Sequence, residues 1–140
     1  MSSTQPQAAT WTGSIAQHVW EASALLHAGF GANPDMTTLE HWVTAANDAF
    51  TDMPQLGQMI IDYYAPGISP QALVTQLYQN LTGTAPDAAT VQHYASEVGP
   101  GLQFPTEGAL LAYAATLSEN LDGMAGFMGV VQQAEPQWFA

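Results

Sequence analysis

Two histidines, His41 and His93, stand 52 positions apart, and an aromatic residue, Trp42 or Tyr94, follows each of them. An imidazole nitrogen binds metal ions and haem iron near neutral pH, so a matched pair first suggests a haem or metal carrier. Such a site needs two or three converging donors. On a single helix, His18/Glu21 at i, i+3 and His93/Glu97 at i, i+4 have suitable spacing, and neither supplies a third donor. The more ordinary reading makes His41 and His93 half-buried side chains hydrogen-bonded to a neighbouring turn, and His18 a satisfied core histidine.

Oxygen chemistry is suggested by Asn33, Asp35 and Thr37, which alternate like calcium ligands, with Asp87 in the place equivalent to Asp35. No twelve-residue loop with a closing glutamate surrounds them. Asp35 and Asp87 each follow a proline and open an expected helix, where a carboxylate caps free amides. Four tryptophans offer faces for stacking on sugar rings. Trp20 and Trp42 lie at helical spacing and are expected in the core, whereas Trp11 and Trp138, near the ends, are the exposed binding candidates. Catalytic chemistry has little to work with: the chain has no Cys or Lys nucleophile, no Gly-x-Ser-x-Gly elbow and no His-Glu-x-x-His helix, and is expected not to be an enzyme.

The charge balance narrows the partners. A 140-residue chain of average composition carries about 17 Lys and Arg; this one has none, beside 12 Asp and Glu and a net charge of −12. Nucleic acid is repelled, because its binding rests on cations that displace phosphate counterions. Bare anionic membrane is disfavoured on the same ground, and no guanidinium fork exists for phosphate or carboxylate substrates. The bias is a lack of bases, not a surplus of acids. It leaves no cleavage site for trypsin-like proteases and presents carboxylates to divalent cations without internal competition, both of which suit an extracellular or cell-surface protein.

There is no cysteine and so no disulfide framework. Residues 1–10 lack the basic start and apolar run of a secretory signal, so export is expected without a cleaved N-terminal signal peptide. No apolar run of about 18 residues suggests a membrane span.

The elements that must position these residues are helical. Hydrophobic residues make up 47% of the chain, and their spacing predicts a stripe of Ile15, Val19, Ala22 and Leu25/Leu26 ending at Gly29 and Gly31. A second helix follows, capped by Asp35 or by Thr37 with Glu40, and carries Leu39, Trp42, Val43 and Ala46. A third, capped by Asp52, carries Leu56, Met59, Ile60 and Tyr63. Ser69-Pro70 opens a fourth through Leu73, Leu77 and Leu81; Pro86-Asp87 a fifth with Val91, Tyr94, Ala95 and Val98; Thr106 a sixth through Leu110, Leu111, Ala114 and Leu117. A seventh, Leu121 to Gln133, spaces Gly123, Gly126 and Gly129 at i, i+3, i+6, which suggests close helix approach, by docking within the chain or by self-association.

The order is written twice. Gly31, Pro34, Asp35, Thr38 and His41 recur 52 positions later as Gly83, Pro86, Asp87, Thr90 and His93. Such a period predicts a repeated supersecondary unit whose apolar faces are completed by its neighbour. The expected fold is all-α, two tandem three-helix units plus a C-terminal helix: a flexible lead at 1–11, units at 12–68 and 69–120, and a helix and tail at 121–140.

The run Leu77-Tyr78-Gln79-Asn80-Leu81-Thr82-Gly83-Thr84-Ala85-Pro86-Asp87, continuing to His93-Tyr94 and closing with Leu117-Ser118-Glu119, resembles a helical repeat family of secreted bacterial and S-layer proteins. Its units read roughly Leu-Tyr-x-x-x-x-Gly-Arg-x-Pro-Asp-x-x-Gly-x-x-Tyr-Trp. The resemblance covers about residues 20–64 and 72–120. The chain departs from it at Ala32 and Thr84 for the Arg, Thr38 and Thr90 for the Gly, and His41 and His93 for the Tyr. The pattern is also similar to the N-terminal region of alphaproteobacterial S-layer proteins, which anchors their lattice to lipopolysaccharide. The resemblance implies a non-enzymatic secreted or surface protein that binds envelope polysaccharide or its own copies, with calcium or another divalent cation as the bridge. The different-class alternatives are a secreted haem or metal carrier using the histidines, and an enzyme of unknown type.

Overall fold

The computed structural model describes residues 13–31, 35–49 and 51–120, with side chains from residue 18 onward except at 36. They form six helices: α1 (Gly13–Phe30), α2 (Met36–Ala49), α3 (Met53–Tyr64), α4 (Pro70–Thr82), α5 (Ala88–Ala95) and α6 (Glu107–Ala115). A further helical turn occupies 118–120. Among the described residues there is no strand, just an isolated bridge between Val98 and Phe104. The chain is all-α. No helix among the described residues is long and apolar enough to cross a membrane.

Polar side chains set the helix starts by accepting from amides that the first turn leaves free. Asp35 accepts from the Thr38 amide at 2.8 Å, Asp87 from Thr90 at 2.8 Å, Ser69 from Ala72 at 3.1 Å and Thr106 from Ala109 at 3.1 Å. At α3 the box is reciprocal: Gln55 N–H donates to Asp52 and Asp52 N–H donates to the Gln55 side chain, both at 2.9 Å. Thr37 falls inside α2, so Asp35 is the cap and the Thr37/Glu40 box does not form. The matched glycines end matched helices in left-handed backbone, Gly31 at φ 72° after α1 and Gly83 at φ 80° after α4.

The core gathers Val19, Leu25, Leu39, Leu56, Ile60 and Leu111, all fully buried. Helix α6 lies at its centre and is buried on nearly every side, packing most extensively on α3 and also on α1 and α4. Two glycines permit the α3–α6 approach. A Cβ on Gly57 would come to 2.9 Å from the Gly108 carbonyl, and one on Gly108 would strike the Pro54 carbonyl and the Gln58 amide. Gln58 then accepts the Gly108 N–H at 2.8 Å, which satisfies an amide at the start of α6.

The two halves also exchange polar ties. From α4, Asn80 donates to the Ala28 carbonyl at 2.9 Å and Gln76 donates to the Gly29 carbonyl, so α4 closes the open end of α1. Fully buried Asn120 donates to the carbonyls of Ala24 and Ala115, at 3.1 and 2.9 Å. Its side-chain oxygen is 2.7 Å from Nδ1 of His27, which pins the 116–120 segment on α1. With the amide group donating to carbonyls, the oxygen accepts, so His27 carries its proton on Nδ1.

Three expectations shift. Helix α5 ends at Ala95, and Val98 sits in the bridge, because Gly99 N–H bonds back to Phe104 instead of continuing the helix. Helix α6 ends at Ala115, where Thr116 turns its hydroxyl onto the Tyr113 carbonyl, leaving Leu117 beyond it. Trp20 is half-buried, not core. The close approach expected of Gly123, Gly126 and Gly129 lies outside the described residues; among those described, Gly57 and Gly108 make one of their own.

Candidate functional site

Five rings meet where the last turns of α1 and α3 reach the middle of α2. Phe30 is the last residue of α1, His41 and Trp42 are neighbours on α2, and Tyr63 and Tyr64 finish α3. Trp42 is the floor, 3% exposed, and the others rise around it: Tyr63 is 65% exposed, Tyr64 42% and Phe30 38%. Packing is edge to face. Ring centres are 4.8 Å apart for His41–Trp42, 5.5 Å for Trp42–Tyr63, 4.8 Å for Tyr63–Tyr64 and 5.1 Å for Phe30–Tyr64. These separations fall in the range where the positive edge of one ring meets the negative face of another.

One hydrogen bond fixes the cluster. The Trp42 indole N–H donates to the Tyr64 hydroxyl oxygen at 3.1 Å. The indole is thereby satisfied while the Tyr64 O–H remains able to donate outward. Ring faces, a phenolic donor and an exposed imidazole together make a surface apolar in the middle and polar at its edge. No Lys or Arg exists anywhere in the chain to add a cation to it.

The residues singled out by sequence fare unequally. His41 belongs to this cluster but is exposed, not half-buried, because α2 turns it outward beside Trp42. His93 is exposed too, edge-on to Tyr94 with ring centres 5.0 Å apart and 4.0 Å from the Glu97 carboxylate. His18 is buried and bonded to Glu21 at 3.0 Å, as a core histidine would be. Asp35 and Asp87 serve as helix caps. The donated amides of Thr38 and Thr90, with their hydroxyls, hold both carboxyls below the ordinary 3.8. Asn33, Trp11 and Trp138 lie outside the described residues. Among those described, no three His, Asp or Glu side chains gather into a metal-binding group.

Sequence reasoning missed Phe30, Tyr63 and Tyr64. It placed Tyr63 on the buried stripe of α3, but the α6 contact has run out by the last turn of that helix, where Ile60 and Ile61 are the last buried residues. A paired Tyr-Tyr at a helix end, one turn past the core, was the available signal.

A second feature lies where α3 meets the start of α6. A cleft there is lined by Asp52, Gln58, Met59, Asp62 and Thr106. Beside it, burial and then the Asp62 charge push the Glu107 carboxyl above its ordinary 4.5. One Glu107 oxygen is buried without a hydrogen-bond partner among the described residues.

No protein-family model, curated protein or solved structure matches the chain.

Proposed function

We propose that this chain is a non-enzymatic, secreted or cell-surface helical protein that binds envelope glycan through the ring cluster of Phe30, His41, Trp42, Tyr63 and Tyr64. The observation that carries the reading is the exposure of four rings around a buried indole. A monomeric domain rarely leaves contiguous aromatic surface open unless something binds there. A pyranose has an apolar C–H face that stacks on such rings and hydroxyls that pair with the Tyr64 O–H and the His41 imidazole. The net charge of −12 supports neutral sugars over acidic ones, since acidic sugars would need a bridging divalent cation such as calcium. The resemblance of the Gly-x-x-Pro-Asp units to those of secreted and S-layer proteins supports the envelope as the source of the glycan.

The test is equilibrium binding of the full chain to purified envelope polysaccharide separated into neutral and acidic fractions. Wild type should bind the neutral fraction without added metal and the acidic fraction in the presence of millimolar Ca²⁺. Tyr63→Ala should lower affinity at least tenfold. Equal binding by wild type and Tyr63→Ala, or no binding to either fraction, would overturn the reading.

A further inference from the structure

The ring cluster has an unfilled counterpart. Displacing its positions by 52 residues takes Phe30 to Thr82, Trp42 to Tyr94 and Tyr64 to Thr116. The structure supports that mapping independently: Gly31 and Gly83 end α1 and α4 in left-handed backbone, and Asp35 and Asp87 cap α2 and α5 through the amides three residues on. Helix α1 packs on α2 as α4 packs on α5. In the first half the niche between the three helices holds an indole, a phenol and a phenyl ring. In the second half the place of Phe30 holds Thr82, whose hydroxyl turns back on its own helix and donates to the Tyr78 carbonyl at 2.8 Å, while the place of Tyr64 holds exposed Thr116, just past the end of α6. Beside Thr82 a cavity of about 180 Å³, open to solvent on one side, is left, walled by Leu77, Tyr78, Tyr94, Leu110, Tyr113 and Leu117.

We propose that this cavity is a binding site for a small uncharged planar aromatic group, of one or two fused rings, that takes the place the chain's own rings take in the first half. An apolar void of about 150 Å³ admits benzene, so this volume suits a phenol or an indole and not a larger ring system. Three tyrosines among the walls offer edges and faces to a flat ligand. Thr82 and Glu119 complete the lining. The carboxylate, in a chain without any Lys or Arg, disfavours aromatic acids.

Indole, titrated into the full chain and followed by calorimetry and ligand-observed NMR, tests this. Wild type should bind one indole with a Kd between about 10 µM and 1 mM, the range open to a ligand of that size, with contacts to the rings of Tyr94 and Tyr113. Benzoate should bind at least tenfold more weakly. Thr82→Phe, which restores the Phe30 ring of the first half at the cavity wall, should abolish indole binding and raise Tm. If that variant fails to fold, the NMR contacts in wild type decide the matter. Tyr63→Ala should leave indole binding in place, so that loss of glycan binding and loss of indole binding are separable results. The proposal is overturned if wild type shows no saturable indole binding, if folded Thr82→Phe binds indole as wild type does, or if Tyr63→Ala abolishes binding and so places the probe on the exposed cluster. Absent indole binding together with a lowered Tm in Thr82→Phe would mean that another part of the chain already covers the cavity, which also overturns it.

Discussion

Within the ring cluster, residues that look alike divide by what surrounds them. Trp42 is buried and its indole N–H bonded, so Trp42→Ala should cost about 3–5 kcal/mol in a denaturant titration, through lost contacts and a cavity. Tyr63 is mostly exposed, and Tyr63→Ala should change stability by less than about 0.5 kcal/mol while it removes glycan binding. The carboxylates divide in a similar way. Asp35 and Asp87 lose their protons more readily folded than unfolded, so their contribution is complete above pH 3.8 and is lost as pH falls through their lower folded values. Glu107 works in reverse. The folded chain retains a proton that the unfolded chain has released above pH 4.5, so the group opposes folding as pH rises past that value. The contribution of these three carboxyls to thermal stability is therefore greatest in mild acid and declines on both sides. Glu107→Gln should lessen the decline toward neutral pH by a few degrees, and Asp35→Asn with Asp87→Asn should lessen the decline toward strong acid. A melt profile unchanged by Glu107→Gln would contradict the account of that group.

At the scale of elements, the approach of α3 to α6 depends on two missing side chains. Gly108→Ala forces backbone against backbone, not a side-chain tip that can swing away, and should cost at least about 1–3 kcal/mol in a denaturant titration. A Gly108→Ala variant as stable as wild type would show that the helices can separate freely. Element identity was legible in the sequence because caps and periodicity agree: Asp52-Met53-Pro54-Gln55 and Ser69-Pro70 announce α3 and α4 in local chemistry alone. Element ends were less legible. Nothing local distinguishes Val98 from the apolar stripe before it, and the bridge to Phe104 that takes it out of α5 is a contact across a loop. The candidate site was legible in part. His41 and Trp42 were found through repetition, but Phe30, Tyr63 and Tyr64 beside them come from the ends of two other helices, and convergence of ends is not written in any single stripe. The Gly57–Gly108 contact was invisible for a similar reason, since each glycine has meaning only against the other helix.

For the whole molecule, charge governs association. Twelve acidic side chains with no Lys or Arg make copies repel one another at neutral pH, over a Debye length of about 10 Å at 0.1 M salt. Light scattering should give a smaller mass at pH 7 than at pH 4.5, close to the sequence pI of 4.1, and millimolar Ca²⁺ should promote association at pH 7 more than the same ionic strength of NaCl. A mass indifferent to both acid and Ca²⁺ would remove self-assembly from the account. Glycan binding through the rings needs no such assistance when the sugar is neutral, and its most direct test is residue-resolved. Neutral envelope oligosaccharide titrated into the full chain should move the aromatic NMR resonances of Phe30, His41, Tyr63 and Tyr64 together, along one saturating curve, and leave those of Tyr78, Tyr94 and Tyr113 in place. Saturable binding that moves the second group and not the first, or no binding at all, would contradict the account.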